Sequence, residues 1–471
     1  MDNLSLLDRF NNWVKESIMI KLFSIGILML ILMIPSSLIE DLINERQLRA
    51  SEVTREVASK WASYQTITGP VLMIPFKQIE TVKEWTNGVE HSRLVETTRK
   101  AFFLPDELTA DAKVDPQTLH RGIFDVAVYD SKVKIDARFG NVNFSKWNIP
   151  DDQVYWNDAT LLIGVTDMQG IHEIPKIRSG NTSFVSESTA GIGLNVGTKK
   201  KTNDNGDVTY NDATGFIVPF DWKSQDDIVK EFSVELDLKG STQLYFTPAG
   251  KTTSVTISGN WPSPSFDGKM LPITREVSEK GFSATWKVLS FNRPVADQWL
   301  DSEQWLGGND FGARLYIPAD QYQQSMRTAK YDGLIILLAF LALFLVEITR
   351  KVRIHPFQYI LVGVALTVYY TLLLSISEHV GYTVAYAISS AATIILIALY
   401  SMTFFKSRSM VFLFSSVMAF FYVFIFVIVK AEDFSLLIGS IGLFAIIAVV
   451  MYFSRNINWY KEPAAIPEQN G

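Results

Sequence analysis

Six long apolar runs divide this chain. One lies near the N-terminus, at 22–39, and five crowd the last third, at 331–348, 359–376, 380–405, 410–429 and 434–454. Each is close to the ~20 residues that cross ~30 Å of hydrocarbon as a helix. The stretch between the first and second runs has ordinary soluble composition. From residue 71 onward its pattern is that of β-structure. Short runs at 71–76, 94–104, 123–129, 133–139, 161–165, 232–238, 255–257, 282–291 and 315–317 alternate or are rich in β-branched and aromatic residues. Gly, Pro, Asn and Asp punctuate them at short spacing. The reading is a multi-pass α-helical membrane protein, one span plus five, with a large mostly-β domain inserted after the first. Antiparallel sheets in a sandwich or in two subdomains are the expected arrangement.

The resulting division is a lead at 1–21, an anchor helix at 22–39, a helical stalk at 40–65, a β-rich domain at 66–317, a connecting helix at 318–330, a five-helix bundle at 331–460 and a disordered tail at 461–471. In the lead, Phe10, Trp13 and Val14 suit the membrane interface. In the stalk, Glu45/Arg49 and Glu56/Lys60 are i,i+4 pairs, and Val53, Val57 and Trp61 mark one apolar face. Such a helix either lifts the domain off the membrane or packs onto it. The anchor reads as a retained signal anchor: the run exceeds a usual signal core, and Glu40-Asp41 follow without a small-residue cleavage pattern.

Charge adds the orientation. The flanks on one side carry Arg9, Lys15, Lys21, Arg350, Lys351, Arg353, Lys406, Arg408, Arg455 and Lys461, whereas the opposite short loops hold only Lys430 with Glu378, Glu432 and Asp433. The lysine and arginine excess marks the cytoplasmic side. Both termini are therefore expected in the cytoplasm and the β domain outside, which in a Gram-negative cell is the periplasm. The net charge of −6 with dispersed basic residues argues against a nucleic-acid partner. The chain has no cysteine, which excludes thiolate metal sites, thiol nucleophiles and disulfides.

Candidate chemistry is sparse. Asn203-Asp204-Asn205-Gly206-Asp207 resembles a calcium loop, but aligning Gly206 with its invariant glycine puts Lys201 where a carboxylate is required. Asn205-Gly206 reads better as a hairpin turn. The histidines, His91, His120, His172, His355 and His379, form no metal-ligand spacing on one element, and His355-Pro356 reads as a helix cap. Glu378 and His379, at the outer mouth of a span, are a polar pair that could relay protons or sit in a wet loop. Glu347 is expected to pair with Arg350 and Lys351, and Asp332 to lie at the outer end of its span, leaving no ionisable group at mid-depth. Ser375, Ser389, Ser390, Ser415 and Ser416 lack the setting of a nucleophile. Trp147, Trp156, Trp222, Trp261, Trp286, Trp299 and Trp305 read mainly as core. The rigid stretch Trp261-Pro262-Ser263-Pro264-Ser265-Phe266-Asp267-Gly268 is the candidate contact loop, with Trp261, Pro262, Pro264 and Phe266 as its contact residues.

Several long stretches carry a resemblance. They are Thr68-Gly69-Pro70-Val71-Leu72-Met73-Ile74-Pro75; Asn260-Trp261-Pro262-Ser263-Pro264-Ser265-Phe266 with Leu271-Pro272 and Arg275-Glu276-Val277-Ser278-Glu279-Lys280-Gly281-Phe282; Pro318-Ala319-Asp320-Gln321-Tyr322-Gln323; His355-Pro356 with Gln358-Tyr359; Ser377-Glu378-His379 with Gly381-Tyr382; and Arg455-Asn456-Ile457-Asn458-Trp459-Tyr460. In order and spacing the chain resembles the CreD family of bacterial inner-membrane proteins, least so across 185–214. The resemblance implies a cellular setting: envelope integrity and stress response in a regulon under two-component control, linked to β-lactam response and colicin tolerance. It implies no catalytic residue and no cofactor. The expectation is therefore a non-enzymatic envelope protein, partnered by the lipid bilayer and by other envelope proteins or an envelope ligand. The alternatives are a transporter or lipid-handling protein with the β domain as a lid, and an envelope glycan- or lipid-modifying enzyme.

Overall fold

The computed structural model describes residues 18–86, 89–200, 209–301, 304–315, 317, 321–350, 352–405, 407–431 and 434–455. The chain divides into a helical unit, residues 1–50 and 319–471, and a β body, residues 51–318. The interfacial lead, the tail and the Asn205-Gly206 turn lie outside the described residues.

The helical unit begins with α1 (Ile18–Trp61), a single 44-residue helix. At 1.5 Å per residue it is ~66 Å long, roughly twice the hydrocarbon thickness. Anchor and stalk are thus one element, and Pro35 lies inside it without ending it. The rest of the unit is a short α2 (Gln321–Ala329) followed by α3 (Asp332–Arg350), α4 (Pro356–Val380), α5 (Tyr382–Ser401), α6 (Arg408–Lys430) and α7 (Ser435–Ser454). Six helices, all but α2, are long and apolar enough to span a bilayer. Local chemistry sets their ends. His355 caps α4, its ring nitrogen accepting from the Phe357 amide at 3.2 Å, and Pro356 takes the first turn, where its missing N–H costs nothing. Gly381, at φ 78°, closes α4 and opens α5, a backbone turn that side chains disfavour.

The β body holds two large sheets. The nine-stranded sheet runs in the order Pro264–Gly268, Phe311–Leu315, Gln243–Thr247, Gln65–Thr86, Thr160–Val165, Gly215–Pro219 and Glu187–Thr189, with Val89–Phe103 and Gln298–Leu300 branching from its long strand. The eight-stranded sheet runs Thr274–Ser278, Gly281–Leu289, Thr252–Gly259, Glu107–Arg121, Phe124–Arg138, Glu231–Ser241, Lys176–Ser179 and Thr182–Phe184. Each contains one parallel pair among antiparallel ones. A separate hairpin joins Asn195–Lys200 to Thr209–Asp212.

Inward side chains of both sheets, among them Ile67, Leu72, Ile74, Leu161 and Phe216 from one and Ala110, Ile135, Val234, Ile257 and Trp286 from the other, form one continuous core. The body is therefore a sandwich rather than two subdomains. Alternating burial along Glu107–Arg121 and Glu231–Ser241 leaves the second face of the eight-stranded sheet in solvent. Thr160–Val165 is buried on both faces, as a central strand must be. The Gly69-Pro70 breaker does not start a strand, as its composition suggests. Strand Gln65–Thr86 runs through it as a bulge, Gly69 at φ 94° and the following peptide cis. The final turns of α1 pack on the body: Val53 is buried, Arg121 bonds Glu56 at 2.7 Å, and Lys239 lies 4.5 Å from the centre of the Trp61 ring.

Candidate functional site

The polar chemistry of the helical unit is gathered in its interior. α1 and α3 run antiparallel and meet at two rungs. Lys21 Nζ donates to Glu347 Oε1 at 2.7 Å, and Ser36 Oγ bonds Asp332 Oδ2. On both helices the two rungs are fifteen residues apart, so they stand ~22 Å from each other along the helix axes. Glu347 is 5% exposed and also accepts from the Tyr359 hydroxyl at 3.0 Å. Its cation is thus Lys21 of the first span, rather than Arg350 of its own helix; the expected partner Lys351 lies outside the described residues. Side chains on one helix meet only over a narrow range of directions, whereas the antiparallel neighbour brings an ammonium straight to it.

A third polar layer lies beyond. Glu378 accepts from Tyr322 of α2 at 3.0 Å and has Arg46 Nε at 4.0 Å. Burial, reinforced by the Glu378 charge, raises the Tyr322 hydroxyl to about 12, so it stays protonated and donating. Alongside, Thr328 shares a hydrogen bond with the Tyr382 hydroxyl at 2.7 Å. Asp332 falls between the layers. It begins α3 by sequence, but α2 continues above it, and it is only 2% exposed. Asp332 is the first residue of α3, at the end of its span as the sequence suggests, but it is buried there rather than open to water.

Next to Asp332 is a cluster of tyrosines on three helices. Rings of Tyr369 and Tyr370 (α4) lie 4.8 Å apart, Tyr369 is 4.7 Å from Tyr422 (α6) and 5.9 Å from Tyr386 (α5). The Tyr386 hydroxyl donates to the Tyr422 carbonyl at 2.6 Å. Tyr369, Tyr370 and Tyr422 OH, Ser389 and Ser390 Oγ and Asp332 Oδ1 are buried with no hydrogen-bond partner among the described residues. A buried polar atom left unpaired costs ~1–3 kcal/mol, so such a concentration is not packing filler.

The comparisons with known proteins bear on the whole chain. The family described as "Inner membrane protein CreD" matches residues 17–460. The chain belongs to the CreD family. Inner membrane protein CreD of Escherichia coli (strain K12) is 30% identical over 452 residues, 95% of either chain. With the six apolar helices, membership makes this a multi-pass protein of the inner membrane.

The remaining sequence candidates distribute as follows. Glu378 and His379 are neighbours but not a couple: Glu378 turns to Tyr322 and Arg46, while His379 is exposed. In the candidate contact loop, Pro264 and Phe266 belong to an edge strand rather than a loop. Phe266 packs edge-on against Phe282 and Trp286, both at 5.8 Å, and Trp261 is half-buried on the core. Pairing with Phe311–Leu315 turns these rings inward. Trp156, Trp222, Trp286 and Trp299 are core residues.

Two surfaces of the body had no clear mark in the sequence. At the end of the eight-stranded sheet, strand Thr274–Ser278 is exposed at every residue, and Leu271, Ile273 and Val277 are 71%, 61% and 50% exposed. On the solvent face of that sheet, Asp111, Lys113, Lys132, Lys134, Glu235 and Asp237 line an open groove of about 540 Å³. Cross-strand pairs such as Arg138–Glu107 at 2.6 Å identify this as a charge-balanced solvated face. Among the described residues no group of three metal-ligating side chains occurs. His120 bonds Asp125 at 2.5 Å in an exposed hairpin, a local pair rather than a site.

Proposed function

We propose that this chain supports cell envelope integrity and the envelope stress response as a non-enzymatic membrane protein, with both termini cytoplasmic and the β body in the periplasm as its contact module. The observation that carries the reading is the body itself: a sandwich with its own core, inserted between the first two spans of an inner-membrane family member. Its open edge at Thr274–Ser278 supplies unpaired backbone groups beside exposed Leu271, Ile273 and Val277. This is the chemistry that adds an extended strand of a partner protein. In-frame removal of residues 66–316, with the spans retained, is expected to change envelope behaviour as loss of the whole chain does. Unchanged envelope behaviour would overturn the proposal.

A second reading, transport or lipid handling by the helical unit, is favoured by the buried polar column. It predicts substrate or lipid movement in proteoliposomes of the purified chain that persists after the 66–316 deletion. The contact reading predicts none.

A further inference from the structure

Among its described residues the helical unit shields three carboxylates between its helices, Glu347 and Asp332 buried and Glu378 partly so, and two of them carry a built-in cation. Glu347 has Lys21 at 2.7 Å, and Glu378 has Arg46 at 4.0 Å. Asp332, the most deeply buried at 2% exposure, has none among the described residues. One of its oxygens is bonded to Ser36, and the other has no partner. From α1 come Ser36 and, one turn on, Glu40, whose charge also acts on Asp332. From α4 and α6 come the Tyr370 and Tyr422 hydroxyls, both within its electrostatic reach, and Tyr386 of α5 stands beside them. The Tyr370 hydroxyl is itself 2% exposed and unpartnered.

Magnitudes decide what this arrangement means. Its place at the start of α3 gives an ionised Asp332 a favourable helix-dipole contribution of ~0.3–1 kcal/mol. Burial of a lone ion costs several kcal/mol, and a like charge on Glu40 adds to that. The dipole cannot offset the burial, so the balance is restored only by a positive charge from solution.

We propose that Asp332, with Ser36, is a site at the end of a span for one small monovalent cation, a proton or an alkali ion. The inference is independent of what the β body contacts. A site of this kind couples the packing of α1 against α3 to cation occupancy, because the Ser36–Asp332 rung is part of that contact.

The test uses the full chain in phosphatidylethanolamine–phosphatidylglycerol liposomes, treated with a hydrophobic carbodiimide, which modifies protonated carboxyls, and mapped by mass spectrometry. The expected result is an adduct at Asp332 that declines as pH rises. Replacing choline chloride with sodium chloride at fixed pH lowers the yield several-fold if an alkali ion takes the site, and leaves it unchanged if the proton alone does. Infrared spectroscopy on the same liposomes supplies a second readout. A protonated-acid carbonyl band should be present in the wild type, lost in Asp332→Asn and displaced but retained in Ser36→Ala. The Ser36→Ala displacement identifies the band even if Asp332→Asn fails to fold. Absence of both the adduct and the band at every pH, with no response of the carboxylate band to sodium, would overturn the proposal.

Discussion

Arg293 has no exposed side-chain surface, and the loop around it is organised by its five N–H groups. It donates to the Gly250 carbonyl at 3.3 and 3.4 Å, to the Val295 carbonyl, and to Asp297 at 2.6 Å. Truncation to alanine leaves the buried Val295 carbonyl unpaired and Gly250 with only a long bond from Thr253 at 3.5 Å, which costs about 1–3 kcal/mol or somewhat more. Lysine restores the charge but not the planar fork, so Arg293→Lys should fall between the alanine variant and the wild type. Thermal unfolding followed by tryptophan fluorescence reads this order; equal midpoints for wild type and Arg293→Ala would refute it. Asp310 behaves differently. It accepts from Thr247 at 2.6 Å, and Thr247 meets Thr68 at 2.8 Å, tying the loop to two strands. Burial raises its carboxyl above the usual range despite the Thr247 bond. The fold therefore binds this proton more tightly than the unfolded chain. Between the two values stability falls as pH rises, and above the folded value the full penalty remains. Asp310→Asn should melt a few degrees higher than wild type at neutral pH, with the advantage vanishing on acidification below the ordinary carboxylate range. A difference that does not change with pH would contradict this. Neither role was visible in the sequence, since Asp310 and Arg293 sit in unremarkable loop contexts. Burial, which gives each its meaning, depends on strands that are distant in the chain.

Among the elements, the spans were legible because a bilayer imposes one requirement, about 20 apolar residues per crossing. The strands were legible only in part, for a physical reason. Strand Glu107–Arg121 turns Leu108, Ala110, Ala112 and Val114 inward, and two of these four are alanine, so the alternation lacks the β-branched and aromatic weight that signals a strand. The last strand was expected at 315–317 but is Phe311–Leu315, because Gly312 and Ala313 dilute its apolar character. Contacts between elements were less legible still. The Lys21–Glu347 pair spans most of the chain and no local spacing announces it. Close approach of α1 to α4 depends on Gly363, where an added Cβ would strike Leu32 and come within 2.9 Å of Phe340. Small residues at helix crossings in membranes allow such backbone proximity. Overpacking here should cost ~1–3 kcal/mol for Gly363→Leu and less for Gly363→Ala, with α1 levered away from the bundle. The measurement is the melting midpoint in detergent, with protease access to α1 as a second readout. A leucine variant as stable and as protected as the wild type would show that the crossing is not tight.

On the scale of the whole molecule, orientation follows from where the charges lie once those with internal partners are set aside. Lys21 is committed to Glu347, and its count toward the cytoplasmic side can be discounted. In the sequence nine further lysines and arginines lie in the flanks on that side, against Lys430 alone in the opposite short loops. Lys430 is moreover drawn toward the Tyr382 ring and Gln324 at its helix end. The lysine and arginine bias therefore survives, and with an even number of spans the proposed orientation puts both ends of the chain on one side. A chain free of cysteine permits a direct check, because a single introduced thiol is the only one to react. A membrane-impermeant maleimide should modify Lys200→Cys in intact spheroplasts, and Ala464→Cys only after the membrane is opened. The reverse pattern would place the β body in the cytoplasm. The exposed edge at Thr274–Ser278 would then meet cytoplasmic rather than envelope partners, and the contact reading would fail even with the fold intact. Labelling of both sites from outside would instead mean an odd number of crossings. In that case one of the six apolar helices would not span, and α7 would be the first to suspect, since the window of it that is apolar enough to cross buries none of its residues within the protein.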